Sequence, residues 1–245
     1  MKKKILVLQF RTGKSLAHER KCLLKNGYFK KDNFKFVNIL NPKKIKIKNI
    51  NSYTGVILGG SGEINISNWD KKIQSKIIKI KPILKKIIRE DFPTLGICFG
   101  HQLIADLMGG KVVRHKDKAE TGVYKICINK EGLRSPLFKN FPKTFFAVNG
   151  HNDSVVKIPK NAKLLASSKR CKIHALRIRQ NIYTVQFHPE LDEKEMYLRA
   201  GILKGYALKK QLIKRNINKK LTKMIFKNFH TICVQNSLRK ETLEV

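Results

Sequence analysis

Three short apolar runs, with helical patterns between or after them, decide what fold this chain can form. Residues 4–10, 55–58 and 93–97 have the length of strands. Between the last two runs, isoleucine and leucine recur at steps of three and four residues, which predicts an amphipathic helix. Pro82 interrupts this pattern, so we expect either a kink or a second helix with Pro82 in its first turn. Continuous apolar strands that alternate with such helices favour an α/β fold whose mostly parallel sheet is covered on both faces.

The sequence pattern changes after Gly110, where shorter apolar segments follow one another with turn residues between them. Such closely spaced strands predict hairpins packed against the parallel part. The segments are 111–113, 124–128, 145–148, 163–166, 173–178 and 182–187. A helical pattern returns at Asp192, which is a candidate N-cap. We predict one domain over residues 1–205 and a basic, helical extension over residues 206–245.

The net charge of the chain is unusually high. The 245 residues include 53 Lys and Arg against 17 Asp and Glu, so the formal charge is +36. Such a charge produces nonspecific attraction to polyanions, including nucleic acids. Lysine accounts for 42 of the basic residues and is spread along the whole chain. No segment interleaves arginine with aromatic residues as a base-stacking surface does. A compositional bias toward Lys, Ile and Asn is therefore the simpler explanation of the charge.

Several classes of protein are excluded by what the chain lacks. No apolar run approaches the roughly 18 residues of a membrane-spanning helix, so no membrane association is predicted. The basic start is followed by an apolar stretch too short for a signal peptide, which predicts a cytoplasmic location. The five cysteines lie far apart without C-x-x-C spacing. This pattern predicts neither a disulfide framework nor a zinc site, and we expect no metal or cofactor.

The strongest local signal for chemistry surrounds Cys98. Gly96 and Gly100 stand two residues before and two residues after it, between a predicted strand and a predicted helix. A sharp strand-to-helix turn needs glycine at these positions because the neighbouring backbone comes too close for side chains. The turn places the sulfur at a helix N-terminus, where free N–H groups favour the thiolate. The alternative is a buried cysteine that packs as a small apolar residue.

His188 and Glu190 supply a candidate base and a group that orients it. They end an apolar run, and the two-residue period of a strand places them on the same side. Pro189 between them stiffens the backbone. A thiol nucleophile, a histidine and a carboxylate together are the parts of a nucleophilic triad.

The glycine-rich segment 59–62 directly follows another predicted strand. Its backbone N–H groups can turn toward an oxyanion, together with the N–H of Phe99 after the candidate nucleophile. Taken alone, the segment is equally compatible with a simple tight turn. It lacks the Lys-Ser/Thr ending of a phosphate-binding loop, so ATP binding is not predicted.

With these motifs the chain resembles the class I, triad-type glutamine amidotransferases. The residues that carry the resemblance are the turn 96–102, the loop 59–60 and the block 186–190, in the family's order and spacing. The segment 151–155 is similar to the free-standing branch that resembles the glutaminase domain of GMP synthetase. The resemblance spans residues from about 4 to 205. It implies a flavodoxin-like three-layer sandwich with a mostly parallel central sheet and a small antiparallel strand region.

The resemblance also implies roles for the matching residues. Cys98 is expected to be the nucleophile, His188 the general acid and base, and Glu190 the carboxylate that orients it. The residues expected to bind the oxyanion or the substrate are Gly60, Phe99, Gly62, Gln102, Asn149, Gly150 and His151. The implied reaction hydrolyses the side-chain amide of glutamine through a γ-glutamyl thioester. The ammonia would pass to an acceptor, GMP-synthetase-like or other, on a separate synthetase subunit.

Two other functions stay open at this point. A γ-glutamyl hydrolase or peptidase can use the same triad on the same fold. A non-catalytic protein that binds polyanions or acts as a scaffold would account for the charge and for the basic tail. Residues 201–245 contain 11 Lys and Arg against 2 Glu. An intact triad argues against this last alternative, and we expect contacts with polyanions to be nonspecific.

Overall fold

The structure is a computed structural model that describes residues 4–41, 45, 47, 49–68, 70–114, 119–203 and 217–243. Its strands are β1 (Lys4–Gln9), β2 (Phe34–Asn38), β3 (Tyr53–Leu58), β4 (Thr94–Ile97), β5 (Lys111–Arg114), β6 (Glu120–Ile128), β7 (Thr144–His151), β8 (Asp153–Lys157), β9 (Ala162–Ser168), β10 (Ala175–Ile178) and β11 (Ile182–Val185). Its α-helices are α1 (Gly13–Asn26), α2 (Lys71–Ile78), α3 (Lys81–Arg89), α4 (Phe99–Leu107), α5 (Lys130–Leu133), α6 (Glu193–Ile202) and α7 (Lys219–Leu243).

Among the described residues, nine strands form one sheet in the order β2-β1-β3-β4-β11-β10-β9-β6-β7. The first five strands of this order pair in parallel. The remaining pairings are antiparallel, and β5 and β8 form a separate two-stranded ribbon. The predicted hairpins do not pack against the parallel part as a separate layer. Apart from β5, which pairs with β8, they continue the same sheet, because β11 pairs with β4 on one side and with β10 on the other.

Helices cover both faces of the sheet. In β1, Ile5 and Val7 join one apolar cluster while Leu6 and Leu8 join the other, since successive strand side chains point to opposite faces. Helices α1 and α7 contribute to the first cluster, and α3 and α4 to the second. This arrangement confirms the predicted α/β fold, a flavodoxin-like three-layer sandwich with a mostly parallel core.

The helical pattern between β3 and β4 forms two helices, α2 and α3. Pro82 lies in the first turn of α3, which confirms the second of the two expected alternatives. Proline is tolerated there because the first N–H groups of a helix have no intrahelical acceptor.

Helix α7 lies within the segment that the sequence predicts as a basic extension. Its residues Ile225, Phe226 and Phe229 are fully buried and pack in the same cluster as β1 and β3. Residues 204–216 lie outside the described residues, and the domain boundary at 205 stays a prediction. None of the helices in the described part of the chain combines the length and the apolarity that crossing a bilayer requires.

Candidate active site

Neighbouring parallel strands bring several polar groups to one edge of the sheet. Strands β1, β3, β4 and β11 lie side by side. Arg11 follows β1, Gly60 follows β3, Cys98 follows β4 and His188 follows β11. Ligands of open α/β sheets bind outside the carboxyl ends of the strands. The topology therefore assembles a candidate active site from four distant parts of the sequence.

Cys98 occupies the sharp turn between β4 and α4. Its φ of +51° and ψ of −99° are rare for a residue with a side chain. A Cβ atom on Gly96 would lie 2.8 Å from the Gly100 oxygen, and one on Gly100 would lie 2.4 Å from the Leu58 oxygen. The two glycines are thus required for the reason that the sequence predicts. The Cys98 sulfur is nearly buried and lies 3.9 Å from the Gly150 oxygen.

His188 and Glu190 form a buried pair, with 2.9 Å between His188 Nδ1 and Glu190 Oε1. The sequence predicts that the two-residue period of a strand aligns these side chains, and this reason is wrong. Strand β11 ends at Val185, and His188 and Glu190 lie in the following turn. Burial favours the neutral imidazole. The Glu190 carboxylate and the neighbouring Cys98 outweigh burial and raise the pKa of His188 to about 9. His188 is therefore an imidazolium at neutral pH, directly beside the candidate nucleophile.

Glu190 is held in the charged form by its neighbours. Burial alone would raise its pKa, but the contacts with His188 and Arg199 hold that pKa well below its usual range. Arg199 of α6 reaches Glu190 Oε1 through Nη1 at 3.2 Å. The carboxylate thus lies between two cationic groups, one of which is the candidate base.

Arg199 extends this network to the surface of the protein. Its Nε donates to His18 Nδ1 at 2.9 Å, and His18 Nε2 lies 2.8 Å from Glu195 Oε2. Because the guanidinium can only donate, His18 Nδ1 must accept, and His18 is the neutral tautomer with hydrogen on Nε2. Burial and the charge of Arg199 accordingly lower the pKa of His18. Glu195 in turn accepts from Lys25 at 3.1 Å.

The loop after β3 is held by a second buried carboxylate, that of Glu19. Its Oε1 atom accepts from the Gly60 N–H at 3.1 Å and from Arg11 Nε at 3.1 Å. Its Oε2 atom accepts from Gln9 Nε2 at 3.0 Å. The Gly60 N–H expected to face an oxyanion is therefore directed to Glu19. The N–H of Phe99, the first of α4, has no acceptor within its own helix.

Asn149 and Gly150, two of the expected substrate-binding residues, lie beside the reactive groups. They line one cavity together with Arg11 and His188. Within the described residues, the Asn149 Oδ1 atom has no hydrogen-bond partner. Gly62 lies at the edge of this region, where a Cβ atom would come within 2.5 Å of the Leu203 side chain.

His151 and Gln102 instead serve buried contacts within the protein. His151 Nε2 lies 3.2 Å from Glu120, and its Nδ1 atom lies 3.0 Å from the Asp153 oxygen. Glu120 also contacts His174 Nε2 at 3.0 Å. Burial would raise the pKa of Glu120, but hydrogen bonds from both histidines lower it. Gln102 Nε2 donates to the Asp153 oxygen at 2.8 Å. Direct substrate contacts by these two residues stay predictions.

Residues 25–203 match the family described as glutamine amidotransferase class-I, which is well over half of the chain. The chain belongs to the class I glutamine amidotransferases. This assignment makes it a cysteine-dependent amide hydrolase and contradicts the alternative of a non-catalytic polyanion-binding protein.

Sequence similarity links this amidotransferase to three relatives of two kinds. It is 31% identical over 209 residues to γ-glutamyl peptidase 4 of Arabidopsis thaliana, covering 81% of this chain and 80% of the relative. It is 37% identical over 142 residues to a subunit of the glutamine-hydrolysing GMP synthase of Methanocaldococcus jannaschii, covering 58% and 66%. It spans only 31% of the GMP synthase of Borreliella burgdorferi strain N40, where identity is 35% over 175 residues and 71% of this chain is covered.

Solved structures share the fold of the amidotransferase. A glutamine amidotransferase from Thermotoga maritima superposes with a TM-score of 0.75 at 16% identity, covering 96% of this chain and 99% of the other. A protein from Thermoplasma acidophilum that is assigned to GMP synthase superposes with a TM-score of 0.66 at 22% identity, covering 98% and 99%. At these identities the likeness establishes the fold.

Among the described residues of the amidotransferase, two buried clusters offer three potential metal ligands each, with ligand atoms within 4.8 Å of one another. One consists of His151, Cys171 and His174, and the other of His18, Cys22 and Glu195. Burial raises the pKa of both thiols to about 12, so they stay protonated. In the second cluster Arg199 and Glu195 already engage both His18 ring nitrogens, so His18 has no free lone pair for a metal ion.

Four polar residues of the site are not predicted by the sequence: Arg11, His18, Glu19 and Arg199. All are buried, but they form no motif. Arg11 and Arg199 contact carboxylates eight and nine positions away, whereas His18 contacts Arg199 from 181 positions away. Three of them, Arg11, His18 and Glu19, also precede the segment that matches the family. The one available signal is the position of Arg11 directly after an apolar strand, at the edge where ligands bind.

Proposed function

We propose that the chain hydrolyses the side-chain amide of glutamine through a γ-glutamyl thioester on Cys98, releasing glutamate and ammonia. One observation carries this proposal. The buried His188–Glu190 hydrogen bond of 2.9 Å lies beside the strained turn that presents the Cys98 sulfur. A nucleophile, a base and a group that orients the base are the three parts that this chemistry needs.

In the first half of the reaction, the Cys98 thiolate attacks the carbonyl carbon and the C=O electron pair moves onto oxygen. The Phe99 N–H at the start of α4, which has no acceptor within its own helix, would bind this oxyanion. As the pair returns to re-form C=O, the C–N bond breaks and the nitrogen takes the proton of the His188 imidazolium. The raised pKa of His188, about 9, means that this proton is present at neutral pH. Ammonia leaves and the thioester remains.

In the second half, neutral His188 removes a proton from water and the resulting hydroxide adds to the thioester carbonyl. Collapse of this second tetrahedral intermediate breaks the C–S bond and expels the Cys98 thiolate. Glutamate is released and the imidazolium is restored. Glu190 stabilises the imidazolium in both halves and keeps its ring in place.

A γ-glutamyl peptide is the second candidate substrate. It is favoured by the Arabidopsis γ-glutamyl peptidase, because that match covers about four fifths of both chains. The same steps apply, with the amine of a peptide leaving in place of ammonia. The two candidates therefore differ in what the site accepts on the nitrogen side of the bond.

For ammonia, we propose transfer to a separate synthetase subunit with a GMP-synthetase-like acceptor. Support comes from two archaeal relatives that are named as subunits of glutamine-hydrolysing GMP synthase, at 37% identity each. A cytoplasmic location and nonspecific contact with polyanions belong to the same proposal. Salt-sensitive polyanion binding without sequence preference would mark such contact as incidental.

The test is to supply purified protein with glutamine and, separately, with a γ-glutamyl dipeptide, and to measure ammonia and free amine. We expect Cys98→Ala to lower turnover by at least about 10³-fold, because the covalent route is lost. Cys127→Ala is the matched control, since Cys127 is exposed and lies outside the site. A glutamine-analogue alkylator should label Cys98 in the folded wild type. Turnover that survives in Cys98→Ala would rule out the proposed mechanism.

A further inference from the structure

The oxyanion site of this chain is incomplete if it relies on backbone groups alone. The expected donors there are two N–H groups, those of Gly60 and Phe99. The first is used by Glu19, at 3.1 Å. An oxyanion formed at Cys98 would meet one of the expected backbone donors, and each such donor contributes strongly to the rate.

The Arg11 guanidinium lies beside the Gly60 loop and the two reactive side chains. The position that a Cβ atom of Gly60 would occupy is 2.8 Å from Arg11 Nη2, 2.9 Å from His188 Cε1 and 3.6 Å from Cys98 Cβ. The cation, the base and the nucleophile thus surround a single point. Arg11 and His188 also line the same cavity.

Arg11 is held rigidly in this position. Its side chain is 1% exposed, and its Nε donates to Glu19 Oε1 at 3.1 Å. Burial and this ion pair together hold the planar guanidinium in place. Nη2 is the atom that lies near the Gly60 position, and Nη1 on the same guanidinium has no hydrogen-bond partner within the described part of the chain. A buried donor without a partner is costly and calls for an explanation.

We propose that Arg11 is a catalytic residue whose Nη–H groups, together with the Phe99 N–H, bind the oxyanion of the tetrahedral intermediates. This assignment rests on the proposed function and names a donor for the same reaction. The thiolate forms the C–S bond, the carbonyl pair moves to oxygen, and the guanidinium donates hydrogen bonds to that oxygen without transferring a proton. The C–N bond then breaks as the His188 proton moves to nitrogen, and no further reactant is needed.

A charged donor suits this position for a physical reason. Hydrogen bonds between ionised groups are about twice as strong as neutral ones. Glu19 balances the charge of Arg11 before the substrate arrives, so the site does not carry an unpaired buried cation. The oxyanion, which exists only in the intermediates, adds the second negative partner. The interaction is therefore selective for the transition state.

Two other possible roles of Arg11 predict different experimental results. In the first, Arg11 only holds Glu19 and the Gly60 loop, and in the second it acts on the resting Cys98 thiolate. The test uses Arg11→Gln, Arg11→Lys and the double variant Arg11→Gln with Glu19→Gln, which leaves no unpaired buried carboxylate. Arg20→Gln, an exposed arginine of α1, is the matched control. Measured are kcat, KM, the pH profile of Cys98 alkylation by iodoacetamide, and inhibition by the aldehyde analogue of glutamine.

We expect Arg11→Gln to lower kcat by about 10²–10³-fold, with KM changed by only a few-fold, because the oxyanion is absent from the ground state. Binding of the aldehyde, which forms a tetrahedral adduct, should weaken by a similar factor. Alkylation by iodoacetamide should keep its pH profile. Arg11→Lys should retain part of kcat, and the double variant should be as slow as Arg11→Gln.

The assignment is overturned if Arg11→Gln keeps kcat within a few-fold of the wild type. It is also overturned if the double variant recovers wild-type turnover, since Arg11 would then act only through Glu19. Alkylation that falls in parallel with kcat would assign Arg11 to the resting thiolate and overturn it as well. A wild type that releases neither ammonia nor amine would instead remove the proposed function itself, which distinguishes the two failures.

Discussion

Two buried pairs of glutamate and arginine flank the nucleophile, and they differ in their third partner. Glu190 contacts Arg199 at 3.2 Å and Glu19 contacts Arg11 at 3.1 Å. Glu190 also accepts from His188, whereas Glu19 accepts from the Gly60 N–H. One carboxylate therefore controls the charge of a base, and the other controls the direction of a backbone donor.

These two buried ion pairs contain the same residue types but have different functions. Both pairs cost desolvation, and both are held by additional hydrogen bonds that offset it. What each pair does depends on the group at its far side. Replacing the two carboxylates by the isosteric amide should therefore produce different kinetic changes, although the substitutions are chemically identical.

The largest effect is expected from Glu190→Gln. The neutral amide no longer stabilises the imidazolium, so the pKa of His188 should fall from about 9 toward its ordinary value of 6.5. The alkaline limb of the pH profile of kcat/KM should likewise move to lower pH, because the proton needed by the leaving group is lost earlier. We expect kcat to fall by at least about 10³-fold, since the amide also misdirects the ring.

Glu19→Gln is the matched variant and should have an intermediate effect. The Glu19 carboxylate does not contact His188, so the alkaline limb should stay where it is in the wild type. Weakening one charged hydrogen bond to Arg11 and one to the Gly60 N–H should lower kcat by about tenfold. The measurement is the same pH profile. A shift of the alkaline limb equal to that of Glu190→Gln would show that the two carboxylates are not functionally distinct.

The sequence predicts one of these regions much better than the other for a physical reason. His188 and Glu190 are two residues apart, and glycines bracket Cys98, so each part of the triad has a local signature. The contact of His188 with Glu190 does not depend on the strand period. The elbow is predictable because the clash that requires glycine is local to the turn and to its neighbouring strand.

The region around Glu19 could not be predicted in this way. Glu19 and Gly60 are 41 positions apart, and their hydrogen bond exists only because β1 and β3 are neighbours in the sheet. The sequence does not predict helix α1, which carries Glu19, since this helix is mostly polar and basic. The sequence does not predict strand β2 either, although it is a parallel strand at the edge of the sheet. Long-range pairing of this kind leaves no period in the sequence.

The smallest effect is expected from Arg199→Gln, which tests the outer side of the Glu190 pair. The Arg199 cation lies 3.2 Å from Glu190 and competes with His188 for its charge. Its removal should strengthen the attraction between Glu190 and the imidazolium, so the alkaline limb should move to higher pH, opposite to Glu190→Gln. We expect kcat at neutral pH to fall only a few-fold, because His188 keeps its own hydrogen bond to the carboxylate. Arg199→Lys, which retains the charge, should leave the limb unchanged. A downward shift in Arg199→Gln would mean that Arg199 acts by positioning Glu190 rather than by its charge, because only a displaced carboxylate weakens the imidazolium.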